Sequence, residues 1–167
     1  MIEALQVRCA TAQEGGFYTT NEIRSYLREI GTFDMALIED GTYYVVELDG
    51  HVIGCGGWSA RTTPRAVDDA DIDVRSATPR IRAMFVDPRH ARNGVGRAMM
   101  AHIEQAIRNA GYDTVVLTAM LSGVAFYHAL RYRKIADNPV TLPSGVSLFS
   151  IDMLKQFDEP GRHIAAS

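Results

Sequence analysis

Two hydrophobic periods alternate along the chain, and their order predicts an α/β protein. At the start, Leu5, Val7 and Cys9 are separated by Gln6 and Arg8, an alternation that predicts a strand. Gly15 and Gly16 break it. Thr19 and Glu22 then form a capping-box pair, and Ile23, Tyr26, Leu27 and Ile30 follow at helical spacing with Gly31 as a stop. Residues 19–30 are therefore predicted as an amphipathic helix, with a second, shorter one over 33–38. Residues 42–48 are rich in Tyr and Val, Asp49-Gly50 is a hairpin signal, and 51–58 return as the partner strand. Gly54, Gly56 and Gly57 in that partner mark a bulge or the close approach of another backbone.

The pattern changes over 59–78, where Thr62, Thr63, Pro64, Asp68, Asp69, Asp71 and Asp73 replace large apolar groups. A long polar loop is expected, either solvated surface or a lure for a cationic molecule. Residues 81–86 read as a strand stopped by Pro88. Residues 94–110 carry the strongest helical stripe, Met99, Met100, Ile103, Ala106, Ile107 and Ala110, ended by Gly111. Residues 114–120 are almost continuously apolar, as in a strand buried on both faces. A short helix over 124–130 and two last strands, 132–141 and 146–154, complete the set. The tail from Asp158 is expected to fray. Hairpins dominate the first half and a βαβ-type unit sits in the middle, so the expectation is one domain over 1–157, built on a mixed sheet flanked by helices.

Composition narrows the function classes. The 167 residues suit one core, and 47% apolar with 22% charged residues is ordinary globular usage. A net charge of −3 gives no broad footprint for nucleic acid. Cys9 and Cys55 lack metal-ligand spacing and are expected as two free buried thiols in a reducing compartment, with no metal. No basic segment followed by an apolar run opens the chain, and no stretch approaches ~20 apolar residues, so neither a signal peptide nor a membrane span is expected and the cytoplasm is the default location.

The chemistry concentrates in 86–97, where Val86 ends a buried strand, Asp87, Pro88, Arg89, His90, Ala91, Arg92 and Asn93 form a polar loop, and Gly94, Val95, Gly96 and Arg97 open the long helix. A helix start offers unpaired N–H groups and the positive end of the dipole, and glycines let the backbone approach an anion. Arg89, Arg92 and Arg97 add positive charge, so the loop suits a phosphate or pyrophosphate. It is not a Walker A motif, since no Gly-Lys-Ser/Thr follows. Nor is it the dinucleotide fingerprint, whose third glycine position is Met99 here.

These residues resemble the GCN5-related N-acetyltransferase (GNAT) family. Its Arg/Gln-x-x-Gly-x-Gly/Ala loop is matched at Gly94 and Gly96, with Ala91 at the leading position and Arg92 beside it. Its segment of an Asn followed by Phe-Tyr-x-x-x-Gly-Phe/Tyr is similar to Ser122, Phe126, Tyr127, Arg131 and Tyr132, with Ser122 where Asn is usual and Arg131 where Gly is usual. The resemblance implies a mixed, mostly antiparallel sheet of about seven strands, splayed between the fourth (81–86) and the fifth (114–120). It also implies acetyl-CoA as co-substrate, a primary amine as acceptor, and direct transfer in a ternary complex.

Roles follow from that resemblance. Backbone groups of Met84, Phe85 and Val86 would hold the pantetheine arm and polarise the thioester carbonyl. Ala91, Arg92, Asn93, Gly94, Val95, Gly96 and Arg97, with Ser122, would hold the rest of the cofactor. Tyr127 would protonate the departing thiolate, unless it merely packs beside Phe126. No carboxylate stands on strand 81–86, so the base that deprotonates the amine is left open between a water and a side chain such as His128. Trp58 is either core or a wall of the acceptor site. The acceptor is expected to be a small molecule, the alternatives being a peptide or protein amine or a non-catalytic acyl-CoA sensor, and a homodimer is compatible with the family.

Overall fold

A computed structural model describes residues 1–30, 34–61 and 78–158. Helix α1 runs Ile2–Thr11, α2 Thr20–Glu29 and α3 Met35–Glu39. Strands β1, Tyr43–Leu48, and β2, His51–Ser59, form the hairpin, and β3 is Arg80–Val86. Helix α4, Val95–Asn109, leads to β4, Thr114–Met120, then to the short α5, Val124–Ala129. Strands β5, Arg133–Thr141, and β6, Ser147–Gln156, close the chain.

The six strands form one sheet in the order β1-β2-β3-β4-β6-β5. The β3–β4 pair is parallel and the other neighbours are antiparallel. The segment expected as a first strand is instead α1. Leu5, Gln6, Cys9 and Ala10 are its buried residues, which is the i, i+4 spacing of one helix face, whereas Val7 is exposed. The apparent alternation misled because Gln6, read as an outward polar residue, lies fully buried and donates to Tyr43 Oη at 3.1 Å.

The remaining elements follow their local signals. Thr19 and Glu22 make the reciprocal capping box at the start of α2. The Asp49-Gly50 turn has both residues at positive φ and joins β1 to β2. Gly57 is obligatory, because a Cβ there would lie 2.4 Å from the Thr42 carbonyl oxygen. The polar loop residues 62–77, Asp68, Asp69, Asp71 and Asp73 among them, lie outside the described residues, as does the tail from 159.

On one face of the sheet Met100, Ile103 and Ile107 of α4 pack on Trp58, Ile81, Val115, Leu117, Ala119 and Met153. Trp58 is therefore core, its ring set edge-on to Tyr112 at 6.0 Å. On the other face Leu5 and Cys9 of α1 meet Cys55, with Phe85 alongside, and Ala10, Tyr18 and Ile23 meet Leu142 and Leu148. Burying an aliphatic side chain of this kind is worth about 1.5–3 kcal/mol, so α4 and α1 clamp the sheet from both sides.

Candidate active site

The sheet opens in the middle. β3 and β4 share only the register pairs Arg80↔Val116 and Ile81↔Leu117. Beyond them β3 stays with β2 as far as Gly54↔Val86, and β4 stays with β6 as far as Met120↔Ser150. The two central strands thus diverge into a V whose walls are backbone edges, the splay expected between 81–86 and 114–120.

A bulge shapes the β3 wall. Cys55 pairs with Phe85 and Gly57 with Arg82, so Ala83 and Met84 together oppose Gly56. Ala83 takes a left-handed φ of 52°, a conformation costing roughly 1–2 kcal/mol for an L-residue. Met84 folds over Gly56 so closely that a Cβ on the glycine would lie 2.2 Å from Met84 Sδ. Phe85 turns its ring to the α1 side, and Val86 approaches Gly96. Met84, Phe85 and Val86 therefore border the V through their backbone.

Below the V, Asp87 is completely buried. Its carboxylate accepts from the Arg89 N–H at 3.0 Å, from Arg89 Nε at 3.0 Å and Nη2 at 2.7 Å, and from Arg8 Nη2 at 3.0 Å. These bonds, Arg89 foremost, hold the carboxyl far below the usual carboxylate range against the opposing cost of burial. Arg89 is thereby committed to Asp87, so of the three loop arginines Arg92 and Arg97 are left for an anion. Both are exposed and form no ion pair among the described residues.

Ala91 donates its N–H to the Pro88 carbonyl, so it shapes the loop without offering a donor. Arg92 at φ 68° and Gly94 at φ 82° then bend the chain into α4, with the exposed Asn93 between them. A Cβ on Gly94 would meet nothing within 4 Å, so it is the left-handed φ that favours glycine there. Among the described residues no side chain caps α4, and its first helical bond runs from the Ala98 N–H to the Gly94 carbonyl. The N–H groups of Val95, Gly96 and Arg97 are left facing outward, the geometry that receives an anion.

Helix α5 stands against this helix start, with Phe126 beside Gly96. Tyr127 lies edge-on to Phe126 at 5.2 Å and to Tyr132 at 5.9 Å. Its hydroxyl has no hydrogen-bond partner among the described residues, and surrounding protein pushes its pKa up to about 12. Ser122 is exposed and donates to Gln13 Oε1 at 2.7 Å. His128 is exposed. The C-terminal end of β3, the loop and α5 thus gather at one end of the V.

The opposite face of the V holds a cluster that the sequence pattern hid. Thr118 is the one exposed position of β4. Its hydroxyl donates to Asp152 Oδ1 at 2.6 Å and accepts from Arg80 Nη1 at 2.9 Å, while Asn138 Nδ2 reaches the same Oδ1 at 3.1 Å. The only sequence signal was a polar residue, Thr118, inside the apolar run of the strand. No group of three or more His, Cys, Asp or Glu that could hold a metal occurs among the described residues.

The acetyltransferase (GNAT) family matches residues 8–131, which span the loop and the Phe126-Tyr127 segment. The human protein N-acetyltransferase 8 is 28% identical over 118 residues, covering 69% of this chain and 44% of that protein, so the chain matches less than half of this relative's length. Among solved structures, yncA of Salmonella typhimurium, a putative acetyltransferase with its cofactor acetyl-CoA, is similar at TM-score 0.60 and 19% identity, over 99% of this chain and 93% of that one. Ard1 of Thermoplasma volcanium aligns at TM-score 0.61 and 21% identity, over 95% and 92%. The paia N-acetyltransferase of Thermoplasma acidophilum, in complex with coenzyme A, aligns at 0.62 and 11%, over 93% and 91%. At these identities the structures speak for the fold, which is the splayed sheet described above. With the family matched over most of its length and the V and the glycine loop in place, the chain belongs to the acetyltransferase (GNAT) family.

Proposed function

We propose that this protein is an acetyl-CoA-dependent N-acetyltransferase that moves the acetyl group directly onto a primary amine of a small molecule. The observation that carries this reading is the V between β3 and β4, which leads straight to the uncapped N-terminus of α4. An extended pantetheine arm would add to the exposed edge of β3 at Met84, Phe85 and Val86, as a peptide adds to a sheet edge. The left-handed Ala83 re-aims the N–H groups that follow it, giving a donor for the thioester oxygen as it gains charge. The loop from Arg92 to Arg97 would take the pyrophosphate, with Ala91 shaping it and Ser122 bordering the cofactor. When bound, acetyl-CoA supplies the activated acyl carbon, and Tyr127 supplies a proton at its phenol oxygen. The residues present fit that cofactor, since among the described residues the helix start has free donors and Arg92 and Arg97 have no ion-pair partner.

A compact acceptor is supported by α3. Asp34 lies 3.7 Å from Arg82, Arg61 bonds Asp40 at 2.6 Å and Glu39 at 3.2 Å, and Ser59 bonds Asp40 at 2.6 Å. These bonds tie α3 and the end of β2 to Arg82, the first β3 residue past the β3–β4 pairing. The buried cysteines are unpaired, as suits a reducing cytoplasm. Residues 1–157 form a single catalytic domain on this reading, and a homodimer accords with the family resemblance.

The test is thiol release from acetyl-CoA in the presence of phenethylamine, glycinamide, putrescine or short peptides, with calorimetry for acetyl-CoA, CoA and ATP. Turnover of a small amine is expected. Exclusive turnover of peptides would overturn the acceptor class, affinity for acetyl-CoA without any turnover would make the protein a sensor, and affinity for ATP alone would overturn the whole reading.

A further inference from the structure

We propose that Thr118 and Asp152 form the relay that takes the proton from the acceptor amine, the task for which β3 offers no carboxylate. The proposal rests on the acetyltransferase reading above. Thr118 is the first β4 residue past the last β3–β4 pair, Ile81↔Leu117, so it lies at the floor of the V. It is exposed there, although Val115, Val116, Leu117 and Ala119 around it are buried.

Its hydroxyl is fixed from two sides. It gives its proton to Asp152 Oδ1 at 2.6 Å and receives one from Arg80 Nη1 at 2.9 Å. One lone pair of Thr118 Oγ1 is left for a molecule in the cleft. Asp152 is nearly buried on β6, and Arg80 on β3, 3.6 Å from its Oδ1, is its charged neighbour among the described residues; Asn138 on β5 and Thr118 on β4 are its neutral partners. A carboxylate hidden under a hydroxyl can take a proton through it without ion-pairing the substrate.

Side-chain alternation also separates the two proton tasks. Val115, Leu117 and Ala119 face the core that holds Tyr127, so Thr118 points to the other face. The base works on one side of the V and the acid on the other. An ammonium N–H in contact with Thr118 passes its proton to Oγ1 while the hydroxyl proton passes to Asp152 Oδ1. The neutral nitrogen then forms the C–N bond and the C–S bond breaks. The second N–H proton and the proton on Asp152 leave to solvent. Sulfur takes the proton of Tyr127, which regains one from solvent, so one ammonium and one thioester give one amide, one thiol and one free proton.

The experiment measures kcat/KM against pH for wild type, Asp152→Asn, Thr118→Val and Thr118→Ser, with whichever of phenethylamine, glycinamide or putrescine the enzyme acetylates. Asp152→Asn and Thr118→Val are expected to lose on the order of 10²-fold at neutral pH. That loss should shrink as the pH rises and the amine arrives already neutral, the double variant should be no worse than either single one, and Thr118→Ser should retain most activity. The KM for acetyl-CoA should hold. A loss by the same factor at every pH, or no loss, would overturn the relay while leaving the acetyltransferase reading intact. A short peptide takes their place in the assay if wild type acetylates it and none of these amines; if wild type acetylates neither, both fall. Should Asp152→Asn not fold, Thr118→Val, which removes the hydroxyl and leaves the Arg80–Asp152 pair in place, decides through its pH profile, with Thr118→Ser as the control that keeps the hydroxyl.

Discussion

The backbone of Gly96 passes so close to the ring of Phe126 that a Cβ built there would lie 3.2 Å from Phe126 Cζ and 3.6 Å from Val86 Cγ2. The start of α4, the end of β3 and the helix that carries Tyr127 therefore meet at one point.

That contact makes Gly96→Glu the sharpest test of the proposed cofactor site. A carboxylate would face the outward N–H groups of Val95, Gly96 and Arg97 and occupy them from within the helix. It would also drive Phe126 aside. Calorimetry should show no acetyl-CoA binding by a variant whose circular dichroism is unchanged. Gly96→Ala requires only a few tenths of an ångström of movement by the ring and should bind with a modest loss. Full affinity in a folded Gly96→Glu protein would contradict the proposed pyrophosphate cradle.

Arg131 gives a prediction of opposite sign. It follows the end of α5 at φ 69°, in the place where the related motif has glycine. Its N–H bonds the His128 carbonyl and the next N–H, of Tyr132, bonds that of Tyr127, a helix ending that wants a left-handed residue. Arg131→Gly relieves roughly 1–2 kcal/mol of strain and loses part of that to a more flexible unfolded chain. A net gain of about 0.5–1 kcal/mol is expected, a rise in Tm of about 1–4 °C at this chain length. A fall in Tm would mean that the arginine side chain contributes more than its backbone costs.

Asp87 links α1 to the loop, and its ionisation should be visible in stability. Its folded pKa is depressed, so its contribution is present above the unfolded carboxylate value of about 3.9 and is lost as pH falls below that toward the folded value. Asp87→Asn should cost about 1–3 kcal/mol near neutral pH, less than for a fully buried pair because the freed arginines reach water. The deficit against wild type in urea titrations should narrow at strongly acid pH. Weaker acetyl-CoA binding should accompany it, since the loop that leads to Arg92 and Arg97 loses its tie to Asp87 and α1. An equal deficit at all pH values would assign the loss to packing instead.

The elements that read correctly from sequence are those whose cause is local. The Asp49-Gly50 turn, the Thr19–Glu22 box and the glycines that open and follow α4 act within a few residues of themselves. The V could be anticipated only through family resemblance, because its cause is the loss of pairing between strands far apart in sequence. The α1 segment misread for a related reason: Gln6 is buried by a tertiary bond to Tyr43, and Val7 is left outside. The Thr118–Asp152 bond joins residues 34 apart through the β4–β6 register, which no sequence period encodes. Similarly, Arg89 looked available for an anion until the structure placed Asp87 beneath it.

Tyr127 carries the last prediction. An unperturbed phenol titrates near 10 and a thiol near 8.5. Burial moves this phenol further up, to about 12, so the site does not acidify it. Full proton transfer to a free thiolate is then uphill, and the useful moment is earlier. As the C–S bond breaks, the sulfur is more basic than the finished thiolate, and a hydrogen bond from a phenol with no other partner among the described residues strengthens in the drier cleft. The same shift keeps the hydroxyl protonated throughout the pH range in which an amine is acetylated, so Tyr127 should add no limb of its own to the pH profile there. Tyr127→Phe retains the edge-on contacts with Phe126 and Tyr132 and removes only the oxygen. A fall in kcat on the order of 10²-fold is expected, with acetyl-CoA affinity nearly unchanged. Single-turnover measurements, in which the chemical step is observed directly, decide it: a variant that acetylates at the wild-type rate would reduce Tyr127 to a packing residue.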